Sequence, residues 1–271
     1  MNVQTALMLS VQSILIEGRG SSLIVLLLVL VLFYAAYSMS KSGRPPKMRR
    51  LIAIDAIEEA VGRAAEMGKP VHYTPGISGS LSSWQGPQMV ASISILGYVG
   101  ELCARYDVPL IINMAQADAI PLMEETLRLS YLKEGKPERF DPKMIRYQPS
   151  QSTMVTAILG TFQRERPAAN MMIGGLYYES VVIGEAANFI GAMQIGGTAN
   201  THQLPFIVAT CDYVLIGEEL YAAAAYISKE PMQVASIASE DWIKFILLAI
   251  TLLGFILEVV GIPVVSSFLK W

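Results

Sequence analysis

The segment spanning residues 76–86 has the composition best suited to binding an anion. It reads GISGSLSSWQG and stands directly before a predicted helix. Glycine and serine let the backbone approach a ligand closely, and the free N–H groups at a helix N-terminus attract negative charge. The segment does not follow the pattern G-x-G-x-x-G and carries no Walker lysine. Ordinary capping of the helix that follows is the alternative.

Polar residues also follow the other predicted strands, and the carboxyl ends of parallel strands meet at one edge of a sheet. Small hydroxyl and amide groups in such a place can hydrogen-bond to a neutral or anionic small molecule. The candidate ligand-binding residues are His72, Thr74, Gly76, Ser78, Gly79, Asn113, Asp118, Ser150, Gly174, Gly175 and Asp212.

Nucleophilic catalysis has weak support in the sequence. His72 and His202 are the only histidines, and no G-x-S-x-G elbow is present. A triad of His72 with Ser78 or Cys211 and an aspartate can be drawn, but a hydrogen-bonded wall residue is the favoured interpretation of His72. The sequence therefore favours a non-enzymatic role.

Charge and cysteine content argue against several classes of protein. The chain of 271 residues carries 20 Lys+Arg and 23 Asp+Glu, a formal net charge of −3. This balance is unlike that of a nucleic-acid-binding protein. Two cysteines are too few for a disulfide framework, and with two histidines they leave little for a zinc site. We therefore predict no metal, no cofactor and no nucleic-acid partner.

Prolines indicate a regular alternation of helices and strands in the central region. Five of them stand just before a short apolar run that follows a helical segment. The predicted strands are residues 71–74, 110–114, 144–147, 170–173 and 206–209, with a sixth at 213–216 that pairs with its predecessor through a tight turn. Residues 196–201 are predicted to form a small flexible loop. Strands that alternate with helices predict an α/β fold with a Rossmann-like, mostly parallel sheet of five or six strands.

The two ends of the chain predict membrane helices. Residues 22–38 carry no charge, and residues 41–50 contain five basic side chains and no acidic one. The positive-inside rule then places residue 41 and its successors in the cytoplasm. A cleaved signal peptide would need its positive charge before the apolar run. We expect spans at 21–40 and 242–262, a basic linker at 41–50 and a cytoplasmic α/β domain at 51–238.

The remaining ends are expected outside the membrane, as an amphipathic segment at 1–20 and a tail at 263–271. The chain would thus be a two-pass protein of a prokaryotic inner membrane, with the lipid bilayer as one partner. Residues 171–227 are apolar enough to include a re-entrant segment, but burying their repeated carboxylates in lipid is costly.

Residues 51–79, which read LIAIDAIEEAVGRAAEMGKPVHYTPGISG, follow the basic patch. This stretch resembles a family of uncharacterised bacterial and archaeal membrane proteins that carry a domain of unknown function. The resemblance extends to about residue 228 and implies a membrane-anchored α/β domain. It brings no catalytic residue.

Two functions follow from these observations. The first is a scaffold, in which the anchored domain assembles laterally into a homo-oligomer or serves as a subunit of a larger membrane complex. Low charge and surplus apolar surface favour it. The second is a Rossmann-like domain that binds a nucleotide or a small anionic metabolite, with or without catalysis. The polar strand ends favour it, and the absent fingerprint glycines count against it.

Overall fold

The computed structural model describes residues 20–43, 51–77 and 79–260. Contacts divide the chain into two compact units, one within residues 49–229 and one made of the segments 1–48 and 230–271. The predicted outer segment except for residue 20, the predicted tail, and residues 44–50 of the basic linker lie outside the described residues.

The first unit is built on one sheet of six strands, all of them parallel, in the order β3-β2-β1-β4-β5-β6. The strands are β1 Val71–Gly76, β2 Leu110–Met114, β3 Ile145–Tyr147, β4 Ala169–Gly175, β5 Met193–Thr198 and β6 Tyr213–Ile216. This order is that of a Rossmann fold, in which the chain reverses its direction of travel between β1 and β4. The predicted fold class is confirmed.

Helices cover both faces of this sheet. The helices of the described chain are α1 Gly20–Lys41, α2 Ile52–Met67, α3 Gly86–Arg105, α4 Ile120–Lys133, α5 Gln151–Glu165, α6 Glu179–Phe189, α7 Leu204–Thr210, α8 Glu219–Ser228 and α9 Pro231–Val259. Helices α2, α3, α4 and α8 share one apolar core on the first face. Helices α5, α6 and α7 share a second core on the opposite face. Every residue of β1, β2, β4 and β5 is buried, as a parallel sheet between two helical layers requires.

The prediction for the fifth strand is wrong. Residues 206–209 belong to helix α7, and β5 is formed by Met193–Thr198, which overlaps the predicted loop. Pro205 lies in the first turn of α7, where proline fits as well as it does at the start of a strand. The sixth strand lies at its predicted residues but pairs with β5 in parallel, so no tight turn joins two neighbouring strands.

The apolar stretch 171–227 contributes β4, β5 and β6 and the helices between them. Their backbone groups are paired within the sheet. This stretch therefore belongs to the α/β unit, and the re-entrant alternative is not supported.

The second unit contains two helices that are long and apolar enough to cross a membrane. Helix α1 has 22 residues and α9 has 29, and their apolar side chains are largely exposed within the chain. Phe245, for example, is 71% exposed and Phe255 is 70% exposed. The core helix of a soluble domain would bury such side chains. The two predicted apolar helices are therefore present as candidate membrane spans.

Small residues allow α1 and α9 to pack closely. Ala36, near the end of α1, forms an apolar cluster with Ala235 and Ala238, near the start of α9. Alanine lets two helix backbones approach each other, as is common between membrane helices. The end of one helix thus meets the beginning of the other, and the pair is an antiparallel hairpin.

Candidate functional site

A doubly wound sheet binds its ligand beyond the carboxyl ends of its strands, at the point where the strand order reverses. Here that point lies between β1 and β4, where Gly76 is in register with Gly175. We call the region beyond these two strand ends the strand-end crevice. Thr74, Gly76, Gly174 and Gly175 of the predicted set lie in the last residues of the two strands, next to this crevice.

The backbones of β1 and β4 come into direct contact at the crevice. A Cβ atom on Gly76 would lie 2.3 Å from the carbonyl oxygen of Gly175, and one on Gly174 would lie 2.4 Å from that of Pro75. Both glycines also have positive φ, +77° and +145°. The close packing of the two strand ends thus explains by itself why both positions are glycine. A role of these glycines in ligand binding stays a prediction.

A buried carboxylate occupies the crevice. Glu179 begins helix α6 and is fully buried. Its Oε1 accepts hydrogen bonds from the backbone N–H of Tyr177 at 3.0 Å and of Ile77 at 3.3 Å. Its Oε2 accepts one from the side-chain amide of Gln151. These donors come from the segments that follow β1, β3 and β4.

Glu179 thus supplies from within the chain the negative charge that a ligand phosphate would bring to such donors. No salt bridge to Glu179 is found among the described residues, so the three N–H donors stabilise the charge. The carboxylate repels a further anion and uses the donors that such an anion would need. The crevice is therefore poorly suited to a nucleotide phosphate.

The loop that follows β1 is held to the segment that follows β2. Asp118 Oδ2 accepts hydrogen bonds from Ser80 Oγ and from the backbone N–H of Leu81, both at 2.8 Å. The Gln116 side chain donates to the carbonyl oxygen of Ile77. Asp118 thus fixes the glycine- and serine-rich loop, which is a positioning role that the sequence did not indicate.

Other predicted residues of this region have local structural contacts. Thr74 Oγ1 accepts a hydrogen bond from the N–H of Gly76 at 3.2 Å, and Gly79 lies so close to Met89 that a Cβ would approach it to 3.1 Å. Ser150 caps helix α5 in a capping box with Thr153. Ser78 lies outside the described residues.

Three amide side chains form a cluster beside the crevice. The sequence analysis named none of them individually, although Gln85 belongs to the segment 76–86. Asn200 Oδ1 accepts hydrogen bonds from Gln85 Nε2 at 3.2 Å and from Gln88 Nε2 at 3.0 Å. Asn200 also donates to the carbonyl oxygen of Leu176 at 2.9 Å. Their residue type gave no signal, because isolated amides in loops and first turns are normally solvated. The cluster fixes the segment after β5 against helix α3.

A row of hydrogen-bonded polar side chains runs across adjacent strands of the sheet. His72 on β1 lies in register with Asn170 on β4, which lies in register with Gln194 on β5. His72 Nδ1 is 2.8 Å from Asn170 Oδ1, and Asn170 Nδ2 donates to Gln194 Oε1 at 3.1 Å. Asn113 on β2 extends this row, with its Oδ1 at 3.2 Å from His72 Nε2. We call these four buried side chains the polar ladder.

The hydrogen bonds of the ladder determine the state of His72. Asn170 gives its N–H to Gln194, so its oxygen accepts from His72 Nδ1, which must carry the proton. In a neutral ring Nε2 is then an acceptor and requires a donor. The Nδ2 of Asn113 is buried without a partner among the described residues. Because the two ends of an amide are assigned from their hydrogen bonds, we assign Asn113 with Nδ2 toward His72 Nε2.

Burial favours this neutral ring. Desolvation lowers the pKa of His72 from 6.5 to about 4, against the opposing effect of the hydrogen bonds to the two asparagines. Phe162 also packs its ring against the imidazole, with centroids 5.0 Å apart. Arg146 and Glu165 are the charged groups that act on the ring, and they pair with each other at 2.8 Å. His72 is thus a buried side chain hydrogen-bonded to Asn113 and Asn170, and its role in ligand binding stays a prediction.

Acid is expected to destabilise the α/β unit through His72. The unfolded imidazole takes up a proton as the pH falls below 6.5, whereas the folded one does so only near 4. The stability that the neutral ring contributes is complete above pH 6.5 and is lost between 6.5 and 4, by about 3 kcal/mol in total. Thermal unfolding of the detergent-solubilised protein at several pH values measures this loss of stability. In His72→Gln the decline should be shallower, and parallel curves would contradict the assignment.

Asp212 lies at the opposite edge of the sheet from the crevice. The sequence analysis placed it after a strand, but α7 precedes it and it stands at the start of β6. Its carboxylate accepts a hydrogen bond from the N–H of Gln194 at 2.7 Å. Asp212 therefore joins β5 to β6 and does not converge with Gly76 and Gly174.

Neither cysteine has the properties of a nucleophile. Burial raises the pKa of Cys211 to about 11 and raises that of Cys103 further. A thiol of raised pKa holds little reactive thiolate at neutral pH. The drawn triad has no support in the described residues, since His72 is bound to Asn113 and Asn170.

Comparison with known proteins identifies the family of the chain. The sequence model of a family described as Domain of unknown function (DUF6754) matches residues 11–269. The chain belongs to this family. The DUF6754 match includes both candidate membrane helices as well as the sheet, so the hairpin and the α/β unit are parts of one family domain. No curated protein and no solved structure gives a significant match.

Proposed function

We propose that the chain is a membrane-anchored scaffold protein whose α/β units assemble side by side as copies of one another. The observation that carries this is the apolar outer surface of helices α6 and α7, which we call the α6–α7 face. Its exposed side chains are Val182, Phe189, Phe206 and Val208.

Large apolar groups are exposed on this face, and Phe189 is among the most exposed of the described chain. Phe189 is 95% exposed and Val208 is 53% exposed. The two helices lie against each other, because a Cβ on Gly184 would come within 2.7 Å of Thr210. Glu185 is the only exposed charged side chain on α6, and α7 has none. Isolated exposed apolar residues are ordinary, but a group of them on adjacent helices is typical of a protein contact.

The strand-end crevice supports a structural role rather than binding of a nucleotide or anionic metabolite. Glu179 already provides the negative charge there, and Gly76 and Gly174 bring the strand ends into contact. A phosphate would have to displace a buried carboxylate. The proposal therefore places the function on the surface of the unit.

The hairpin and the charges support one orientation in the membrane. The antiparallel packing of α1 and α9 puts residues 41 and 231 at the same end of the hairpin. In the sequence, the basic cluster of residues 41–50 begins with the last residue of α1, and such a cluster favours the cytoplasm. We infer that the chain lies in a prokaryotic cell membrane, with both termini on the outer side and the α/β unit on the cytoplasmic side.

Cross-linking in intact cells tests assembly and orientation together. In Phe189→Cys we expect a membrane-permeant bismaleimide to yield covalent dimers, because two copies would meet at the α6–α7 face. A membrane-impermeant bismaleimide should yield them only after the cells are permeabilised. Dimers with the impermeant reagent in intact cells would contradict the orientation.

Leu132→Cys is the matched control. Leu132 is 52% exposed, but it lies on α4, on the opposite face of the sheet. We expect no dimers from it or from the wild-type chain, whose cysteines are largely buried. Equal cross-linking from Leu132→Cys, or none from Phe189→Cys, would contradict the proposed face.

A further inference from the structure

The three amides beside the strand-end crevice leave one buried oxygen without a donor. Gln85 is 2% exposed, and its Oε1 is buried with no hydrogen-bond partner among the described residues. A buried acceptor of this kind loses its hydrogen bonds to water and gains none in return, which is unfavourable. A ligand that brings a donor would satisfy it.

The surrounding hydrogen bonds fix the orientation of the Gln85 amide. The backbone N–H of Ala199 donates to Gln88 Oε1 at 3.2 Å, so the nitrogen of Gln88 is the end that faces Asn200. Asn200 Nδ2 donates to the carbonyl oxygen of Leu176, so Asn200 Oδ1 is the end that accepts from the two glutamines. Reversal of Gln85 would bring two acceptor oxygens together. Oε1 is therefore the end of the Gln85 amide that lies away from Asn200.

A second unused group lies next to this oxygen. The same amide donates from Gln85 Nε2 to the hydroxyl of Tyr177 at 3.2 Å. The Tyr177 hydroxyl accepts that bond, and no acceptor for its own proton is found in the described part of the chain. A single hydroxyl group of a ligand can satisfy both neighbours, because it can donate to Gln85 Oε1 and accept from Tyr177.

Charge at this place selects against an ion. The segments between each of the six strands and the next helix contain no lysine or arginine, and Glu179, two residues after Tyr177, is a buried carboxylate. That carboxylate repels an anion. An ammonium group has no lone pair with which to accept the proton of Tyr177. A neutral hydroxyl compound meets neither obstacle.

Aromatic side chains adjoin the two unused groups. The ring of His202 stacks on that of Tyr177, with centroids 5.6 Å apart. Trp84 precedes Gln85 in the chain and is 80% exposed. Aromatic faces pack well against the C–H face of a saturated sugar ring, while the hydroxyls at the edge of that ring stay free for hydrogen bonds.

We propose that these groups bind a neutral monosaccharide. One of its hydroxyls donates to Gln85 Oε1 and accepts from Tyr177, and its ring packs against the exposed aromatic side chains. Solvent does not reach the Gln85 oxygen, so the largely exposed loop of residues 80–84 must shift as the sugar enters. The site shares no residue with the α6–α7 face and does not rest on the proposed assembly.

Isothermal titration of the full chain with D-glucose, D-galactose and D-mannose tests the proposal. The detergent must carry no sugar head group, as is true of lauryldimethylamine oxide, and empty micelles are the blank. We expect saturable binding of at least one of the three sugars. The uronate of that sugar should bind at least about tenfold more weakly, because its carboxylate is repelled by Glu179. Absence of saturable binding for all three sugars, or equal affinity for the uronate, would overturn the proposal.

Two neighbouring tyrosines locate the binding. Tyr177→Phe removes the donor and keeps the ring, so we expect an affinity about five- to tenfold lower. Tyr178→Phe is the matched control, because Tyr178 is 51% exposed and makes no contact in the amide cluster, and it should bind the sugar as the wild type does. Wild-type affinity in Tyr177→Phe, or an equal loss in both variants, would overturn the assignment.

Gln85→Met tests the buried oxygen itself. Methionine has a similar length but brings no strong acceptor, so we expect no saturable binding. Gln88 still donates to Asn200 in this variant, and circular dichroism checks that the fold persists. A folded Gln85→Met chain with wild-type affinity would overturn the proposal. If the variant does not fold, the comparison of the two tyrosine variants decides.

Discussion

Gly76→Ala is expected to prevent stable folding or to reduce the free energy of unfolding by about 3 kcal/mol or more. The added methyl group would lie 2.3 Å from the carbonyl oxygen of Gly175, so one strand must shift within a fully buried sheet. The backbone at φ +77° adds the usual penalty of a left-handed conformation. Thermal or urea unfolding of the solubilised protein, together with its resistance to proteolysis, measures the loss.

Gly191→Ala separates the two causes. Gly191 has a similar φ of +71°, but a Cβ there would meet nothing within 4 Å. We expect this control to cost only about 1–2 kcal/mol, the conformational penalty alone. If Gly76→Ala costs no more than Gly191→Ala, the contact between β1 and β4 does not require the glycine. A role in ligand binding would then be the better explanation for it.

Glu179→Ala is expected to destabilise the α/β unit by about 3 kcal/mol or more. The change leaves the N–H groups of Ile77 and Tyr177 and the amide of Gln151 without an acceptor, and each unpaired buried donor costs roughly 1–3 kcal/mol. Glu185→Ala is the matched control on the same helix, since Glu185 is exposed and its removal should change stability by less than about 0.5 kcal/mol.

Formate or acetate should restore part of the stability of Glu179→Ala. Either ion fits the space of the lost carboxylate and accepts from the same donors. We expect the melting temperature of the Glu179→Ala variant to be higher in formate than in chloride at equal ionic strength. The melting temperature of the wild type should be the same in both salts. If formate and chloride act alike on the variant, the crevice is not an anion site occupied by Glu179.

The alternation of strands and helices could be predicted because apolar runs and prolines record it directly. Residues 110–114 and 213–216 are strands at the predicted positions. Strand β5 was missed because Gly196 and Gly197 interrupt its apolar pattern. Gly196 is required by a tertiary contact with helix α7, because a Cβ there would lie 2.5 Å from the side chain of Ile207.

Helix α7 was mistaken for a strand for the converse reason. Phe206, Ile207 and Val208 form an apolar run with residues that favour strands. Tertiary context overrides that preference, because α7 packs Ile207 into the second core and exposes its neighbours on either side. Asp212 was assigned to the wrong edge of the sheet as a direct result.

The location of the candidate site could be predicted, but its central residue could not. Parallel topology alone brings Gly76 and Gly174 together. Glu179 follows the fourth predicted strand in the sequence, just before a predicted helix, and acidic residues at the start of a helix are usually solvated. Its burial depends on three donors from separate loops, and no local pattern encodes that convergence. The amides of Gln85 and Asn200 were missed for the same reason.

The first face of the sheet is closed by the two ends of its unit. Helix α2 precedes every strand and packs near β4, β5 and β6, and α8 follows every strand and packs along α3. During synthesis, α3 therefore leaves the ribosome more than a hundred residues before α8, which shields its apolar side. Such long sequence separation slows folding and prolongs the time during which a nascent chain exposes apolar surface to chaperones.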